Sequence, residues 1–131
     1  MFHVLVVDDD PAIRFMLQAT LDRHPGLRVA AEASNGVDAV SLVERIRPDA
    51  VILCVQMPFM DGLTATQLMK RVSPQTKIVI FSALTCPASI ENAFTAGADL
   101  FLPKTTPPSE LADVVERLCA DESSSAWSHS A

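Results

Sequence analysis

Two adjacent carboxylates at Asp8 and Asp9, a thiol at Cys54, a hydroxyl at Ser82 and an ammonium at Lys104 are the side chains of this sequence best suited to joint chemistry. Neighbouring acids repel one another unless a cation relieves them. A hydroxyl and a lysine can both donate hydrogen bonds to an anionic oxygen. A thiol, once ionised, is a nucleophile and a soft metal ligand. Singly, each has a plainer reading. Asp10, the third acid of the run, suits the N-cap of a helix that starts at Pro11. A lone serine after a strand is a turn residue, and a lone lysine is solvated surface. What lifts the set is that every member stands at the end of an apolar run.

Those runs read as five strands: His3 to Val7, Leu27 to Ala33, Ala50 to Cys54, Lys77 to Phe81 and Leu100 to Leu102. Val4 to Val7, Val51 to Val55 and Ile78 to Phe81 are unbroken apolar stretches, as expected of strands covered on both faces of a parallel sheet. Helical spacing fills the gaps. Ile13, Met16, Leu17, Thr20 and Leu21 share one helix face. Val37, Val40, Val43 and Ile46 share a second, and Ala65, Leu68, Met69 and Val72 a third. Ile90, Ala93, Phe94 and Gly97 mark the fourth, and Leu111, Val114, Val115 and Leu118 the fifth. Pro25-Gly26, Asn35-Gly36, Pro48, Gly62, Pro74 and Gly97 punctuate the joins. The alternation predicts an α/β fold: a five-stranded parallel sheet, doubly wound, in a (βα)5 three-layer sandwich. Ligands of such sheets bind beyond the carboxyl ends of the strands, where strand order reverses. Asp8, Asp9, Cys54, Ser82 and Lys104 all fall on that edge.

Composition narrows the function classes. The chain has 131 residues, 49% hydrophobic and 20% charged, enough for one domain with a core. Residues 1–120 read as that domain, and the Ser-rich 121–131 as a disordered tail or linker stub. A net charge of −6 argues against a nucleic-acid surface. No apolar run approaches the roughly 20 residues of a membrane span. Three cysteines without framework spacing fit a reducing cytoplasm. His3, His24 and His129 are scattered and read as surface.

The constellation resembles the receiver domain of bacterial two-component response regulators, a CheY-like, flavodoxin-like fold, from about His3 to Leu118. The resemblance rests on Asp8-Asp9 after the first strand, Met57-Pro58 and Asp61-Gly62 after the third, Ser82 after the fourth and Lys104 after the fifth. It implies a non-enzymatic signalling switch in a phosphorelay. A sensor histidine kinase would donate a phosphoryl group to an acceptor aspartate. Asp8, Asp9, the acceptor and the backbone carbonyl of Gln56 would hold Mg²⁺. Ser82 and Lys104 would contact the phosphoryl group, and Ser82 with Phe101 would form the switch. The face of the fourth helix, fifth strand and fifth helix would serve self-association or an effector domain. Lys104-Thr105-Thr106-Pro107-Pro108-Ser109-Glu110-Leu111 lacks the family's proline after the lysine and resembles the LuxR-type subfamily, whose receiver precedes a DNA-binding domain. That implies transcription regulation through a further domain, with no nucleic-acid contact by this chain.

The acceptor position, three residues before Met57, is Cys54. A thiol cannot form the acylphosphate and gives a hard metal a soft ligand, so phosphorylation should fail and Mg²⁺ should bind weakly or not at all. The alternative is a pseudo-receiver working by phosphorylation-independent contact, or as a redox or ligand sensor, with Cys54 and Cys86 as the candidate thiol pair. A flavodoxin-like cofactor binder shares the architecture, but no Gly-rich phosphate loop follows the first strand.

Overall fold

In the computed structural model, which describes residues 1–120, strands and helices alternate: β1 (Phe2–Val7), α1 (Pro11–Arg23), β2 (Leu27–Ala33), α2 (Gly36–Ile46), β3 (Ala50–Leu53), α3 (Gly62–Val72), β4 (Lys77–Ser82), α4 (Pro87–Ala96), β5 (Leu100–Pro103) and α5 (Pro108–Ala120). Every strand pair is parallel, in the order β2-β1-β3-β4-β5. This is the doubly wound (βα)5 sheet that the alternation predicts. The chain winds outward from β1 to β2, then returns across β1 to β3. The loops after β1 and β3 therefore part, and a crevice opens between them.

Successive strand residues face opposite sides, and the core divides accordingly. Val4, Val6, Ile52, Val79 and Phe81 pack with Leu17 and Leu21 of α1 and Leu111, Val115 and Leu118 of α5. Leu5, Val7, Val51, Leu53, Ile78 and Ile80 pack with Ala39 and Val43 of α2, Ala65 and Met69 of α3 and Ala93 of α4. The three layers are thus α1 and α5, the sheet, and α2, α3 and α4.

Two sequence expectations need correction. On α2 the buried residues are Gly36, Ala39 and Val43, whereas Val37 and Ile46 are 49% and 42% exposed. A strict step of three drifts around a helix of about 3.6 residues per turn, so the four apolar positions cannot share a face. The small residues bring α2 close: a Cβ at Gly36 would meet the Met60 carbonyl oxygen at 2.7 Å. His24 is not a surface residue. It ends α1, and its Nε2 lies 2.7 Å from Glu116 Oε1 and its Nδ1 3.7 Å from Asp113 Oδ1, both on α5. His3 is exposed, as expected. His129 and the tail 121–131 lie outside the described residues. Among the described residues no helix is long and apolar enough to cross a membrane.

Candidate functional site

Each residue of the pocket is delivered by a strand end. β1 stops at Val7 because Asp10 caps α1, its Oδ1 accepting from Ala12 N at 2.9 Å. The tight turn between them leaves Asp8 buried, with 2% exposure, and Asp9 exposed. β3 stops at Leu53, one residue before the predicted end. The Cys54 amide still donates to the Val7 carbonyl at 3.0 Å, so the thiol is carried to the edge beside Asp8. The Lys104 amide donates to the Ser82 carbonyl at 2.9 Å, placing the lysine and the serine side by side.

The side chains converge. Lys104 Nζ donates to Asp8 Oδ2 at 2.7 Å and lies 3.7 Å from Cys54 Sγ. The other Asp8 oxygen accepts from Asp10 N at 3.0 Å. Cys54 Sγ points at the Gln56 carbonyl, 3.6 Å away. Ligand atoms of Asp8, Asp9 and Cys54 lie within 4.8 Å of one another. Together with Gln56, Ser82 and Lys104 they line one cavity of about 290 Å³. Ser82 is buried, and its Oγ accepts from Leu84 N at 3.0 Å. Phe101 is half-buried against the α2–α4 side of the core. It shares an adjoining cavity with Ser82, Leu84 and Asn92.

Electrostatics favour a neutral thiol and a charged lysine. Burial pushes the Cys54 pKa up, and the charge of Asp8 adds to it, against the opposing pull of Lys104 and of the Gln56 hydrogen bond. Burial works to lower the Lys104 pKa, but the hydrogen bond to Asp8 and the nearness of Cys54 and Asp8 outweigh it, and the net shift is upward.

The three cysteines are unpaired and differ in surroundings. Cys86 is exposed at the start of α4, 3.1 Å from Ser89 Oγ, and that hydrogen bond lowers its pKa. It does not line the pocket of Cys54. Cys119 packs against the α1–α5 core, where burial pushes its pKa up to about 12. Alkylation follows thiolate fraction and access. Iodoacetamide at neutral pH is expected to label Cys86 first, Cys54 slowly, and Cys119 only on unfolding, as read by peptide mass spectrometry over time.

The loop from Cys54 to Gly62 is held tightly. The Gly62 amide donates to the Val55 carbonyl at 2.7 Å, and a Cβ at position 62 would land on the Cys54 carbonyl oxygen. The sequence marks Gly62 as a breaker, but its tighter duty is to let α3 start against the backbone of Cys54. Met60 N donates to the Pro58 carbonyl at 2.8 Å, a γ-turn centred on Phe59, whose φ is 71° and whose residue is 89% exposed. A bulky side chain in the left-handed region costs about 1 kcal/mol or more. Phe59→Gly is therefore expected to raise stability by about 1 kcal/mol and the melting temperature by about 4 °C, measured by calorimetry.

One supporting residue escapes the sequence reading. Arg14 Nη1 donates to the Asp8 carbonyl at 2.6 Å while its Nε donates to Glu32 at 3.0 Å, bracing the acidic turn from α1. An arginine between apolar helix positions carries no signal that separates this duty from a solvated one.

Comparison with known proteins adds four observations. The response regulator receiver domain family matches residues 4–116. Over 104 residues the chain is 41% identical to a protein-glutamate methylesterase/protein-glutamine glutaminase of Alkalilimnicola ehrlichii; this covers 78% of the chain but only 26% of that protein. Over 116 residues it is 34% identical to the chemotaxis protein CheY of Thermotoga maritima, covering 88% of the chain and 96% of that protein. The crystal structure of a LuxR-family two-component response regulator from Aurantimonas sp. matches with a TM-score of 0.86 at 30% identity, covering 92% of this chain and 86% of that one.

Proposed function

The chain belongs to the response-regulator receiver family, and from that premise we propose that it is a receiver module whose phosphoacceptor carboxylate is replaced by the Cys54 thiol, leaving it unable to take up a phosphoryl group. Receiver domains typically signal without catalysing a reaction of their own, interact with histidine kinases and effector domains, and generally bind Mg²⁺ at an acidic pocket. The observation that carries the reading is the single cavity shared by Asp8, Asp9, Cys54, Ser82 and Lys104 at the β1–β3 crevice, with Lys104 against both Asp8 and the thiol.

Within that reading Ser82 and Lys104 are the phosphoryl-contacting groups, and Ser82 with Phe101 the switch. The metal position comprises Asp8, Asp9, residue 54 and the Gln56 carbonyl. Mg²⁺ asks for oxygen ligands in near-octahedral geometry. Here one of the donors is sulfur, and a protonated one, so this donor set does not fit Mg²⁺. The partners are a sensor histidine kinase and, through the face of α4, β5 and α5, an effector domain or a second receiver. The similarity to a LuxR-family regulator supports a role in transcription regulation, with the receiver unit closing at α5 and acting in the cytoplasm.

The second reading is a pseudo-receiver that works by contact alone. What favours it is the ion pair of Lys104 with buried Asp8, which already gives the lysine an anionic partner without a phosphoryl group. Intact mass after a small phosphodonor and Mg²⁺, on this chain and on Cys54→Asp, separates the two. Uptake by Cys54→Asp alone supports the receiver with a lost acceptor. Uptake by neither sinks it in favour of the pseudo-receiver, and uptake by the parent chain contradicts both.

A further inference from the structure

We infer that the pocket selects a thiophilic divalent cation of the zinc class over Mg²⁺, bound by Cys54 Sγ, the Asp8 and Asp9 carboxylates and, in a fourth position, the Gln56 carbonyl or water. The inference rests on the receiver reading of the pocket and turns on the one donor that reading leaves unmatched.

The donors come from two separate strand ends and are already gathered. Tetrahedral bonds of about 2.0–2.3 Å place ligand atoms about 3.5 Å apart. Those of Asp8, Asp9 and Cys54 lie within 4.8 Å, so the pocket closes by about an ångström at its widest. Asp9 is exposed and its side chain has room to make that movement. Asp8 keeps lone pairs free beyond its bonds to Lys104 and the Asp10 amide, because a carboxylate offers about four acceptor sites. The Lys104 ammonium, 2.7 Å from Asp8 and 3.7 Å from the sulfur, offsets one of the two carboxylate charges and leaves that of Asp9. Gln56 turns its carbonyl to the same sulfur at 3.6 Å.

Ligand softness sets the choice. Thiolate suits zinc-class ions, whereas carboxylates, carbonyls and water suit magnesium, which gives up its own waters reluctantly. On binding, the Cys54 S–H bond breaks, the proton passes to solvent, and the sulfur lone pair forms the metal bond. No oxidant or reductant is involved. An aspartate at position 54 would restore an all-oxygen set, so one side chain reverses the preference.

The test is metal titration of the full chain carrying Cys86→Ser, so that the exposed thiol does not report. Co²⁺ is the optical probe, with Zn²⁺ and Mg²⁺ as competitors. The expected result is a sulfur-to-cobalt charge-transfer band, erased by stoichiometric Zn²⁺ and indifferent to a large excess of Mg²⁺. Cys54→Ser in the same background should lose the band and lower Zn²⁺ affinity by at least about a hundredfold, the upper end of what even an outer partner's loss costs. Absence of the band, or equal Zn²⁺ affinity in Cys54→Ser, overturns the inference. Cys54→Asp, titrated in parallel, checks the premise separately: Mg²⁺ binding there upholds the receiver pocket whatever the cobalt result, and its absence removes the premise.

Discussion

Cys54→Asp is expected to gain the mass of one phosphoryl group within minutes of mixing with a small phosphodonor and Mg²⁺, while the parent chain gains none. On the proposed reading only residue 54 is wrong for the transfer, since the other groups that would serve it line one cavity. Positioning and charge neutralisation carry most of the catalysis of phosphoryl transfer, and on the proposed reading Lys104, Ser82 and the two acids would supply both. An aspartate at 54 would add the attacking oxygen and the missing metal ligand together. Losing a nucleophile elsewhere costs on the order of 10⁶ in rate, so the difference between the chains should be all or none by intact mass. Lys104→Met in the Cys54→Asp background provides the graded control. Removing one preorganised donor to a developing charge costs about 10²–10³ in rate, so labelling should persist but slow by that factor. If Cys54→Asp stays unlabelled while remaining folded, the pocket has lost more than its acceptor.

Stability is expected to fall steeply in alkali, between about pH 9 and pH 12, and Cys119 is the main cause. Its thiol has an ordinary value of 9.0 and is raised to about 12 in the fold. Between those values the unfolded chain has released the proton and the native chain still holds it. Stability then falls as pH rises, since the unfolded state binds fewer protons. Below pH 9 the contribution is fully present; above it the loss is about 1.4 kcal/mol per unit. Cys54 and Lys104 are both raised, so each loses its contribution in the same direction, Lys104 only above its ordinary 10.5. Urea unfolding at pH 8 and pH 10 should show the parent weaker at pH 10 by at least about 1.4 kcal/mol, and Cys119→Ala should remove most of that difference. An equal pH dependence in the two chains would mean that Cys119 does not stay protonated in the fold.

Both predictions depend on features of different legibility. The strands could be read because β1, β3 and β4 are covered on both faces, so nearly every residue must be apolar. The pocket could be read because a parallel sheet brings all carboxyl ends to one edge; knowing that Asp8, Cys54, Ser82 and Lys104 end strands was enough to bring them together. The α2 face could not be read from its valines, because the packing prefers the small residues Gly36 and Ala39 that let the helix approach. Arg14 and His24 were invisible for another reason. Their partners, the Asp8 carbonyl and Glu116, become neighbours only after the sheet forms. The turn at Phe59 is set by the span between Pro58 and Gly62, not by any preference of phenylalanine.

The split core also has a consequence for the chain as it is made. The layer beneath α2, α3 and α4 fills in sequence order, but the opposite layer joins the two ends of the described chain: His24 and Glu116 are 92 residues apart. Val4, Val6, Leu17 and Leu21 leave the ribosome long before Leu111, Val115 and Leu118 arrive to cover them. At about 5–20 residues per second, one side of the sheet stays greasy and uncovered for roughly 5–20 seconds of synthesis. A nascent chain halted before Pro108 is the form that chaperones should hold most firmly, and α5 is the segment whose arrival releases it.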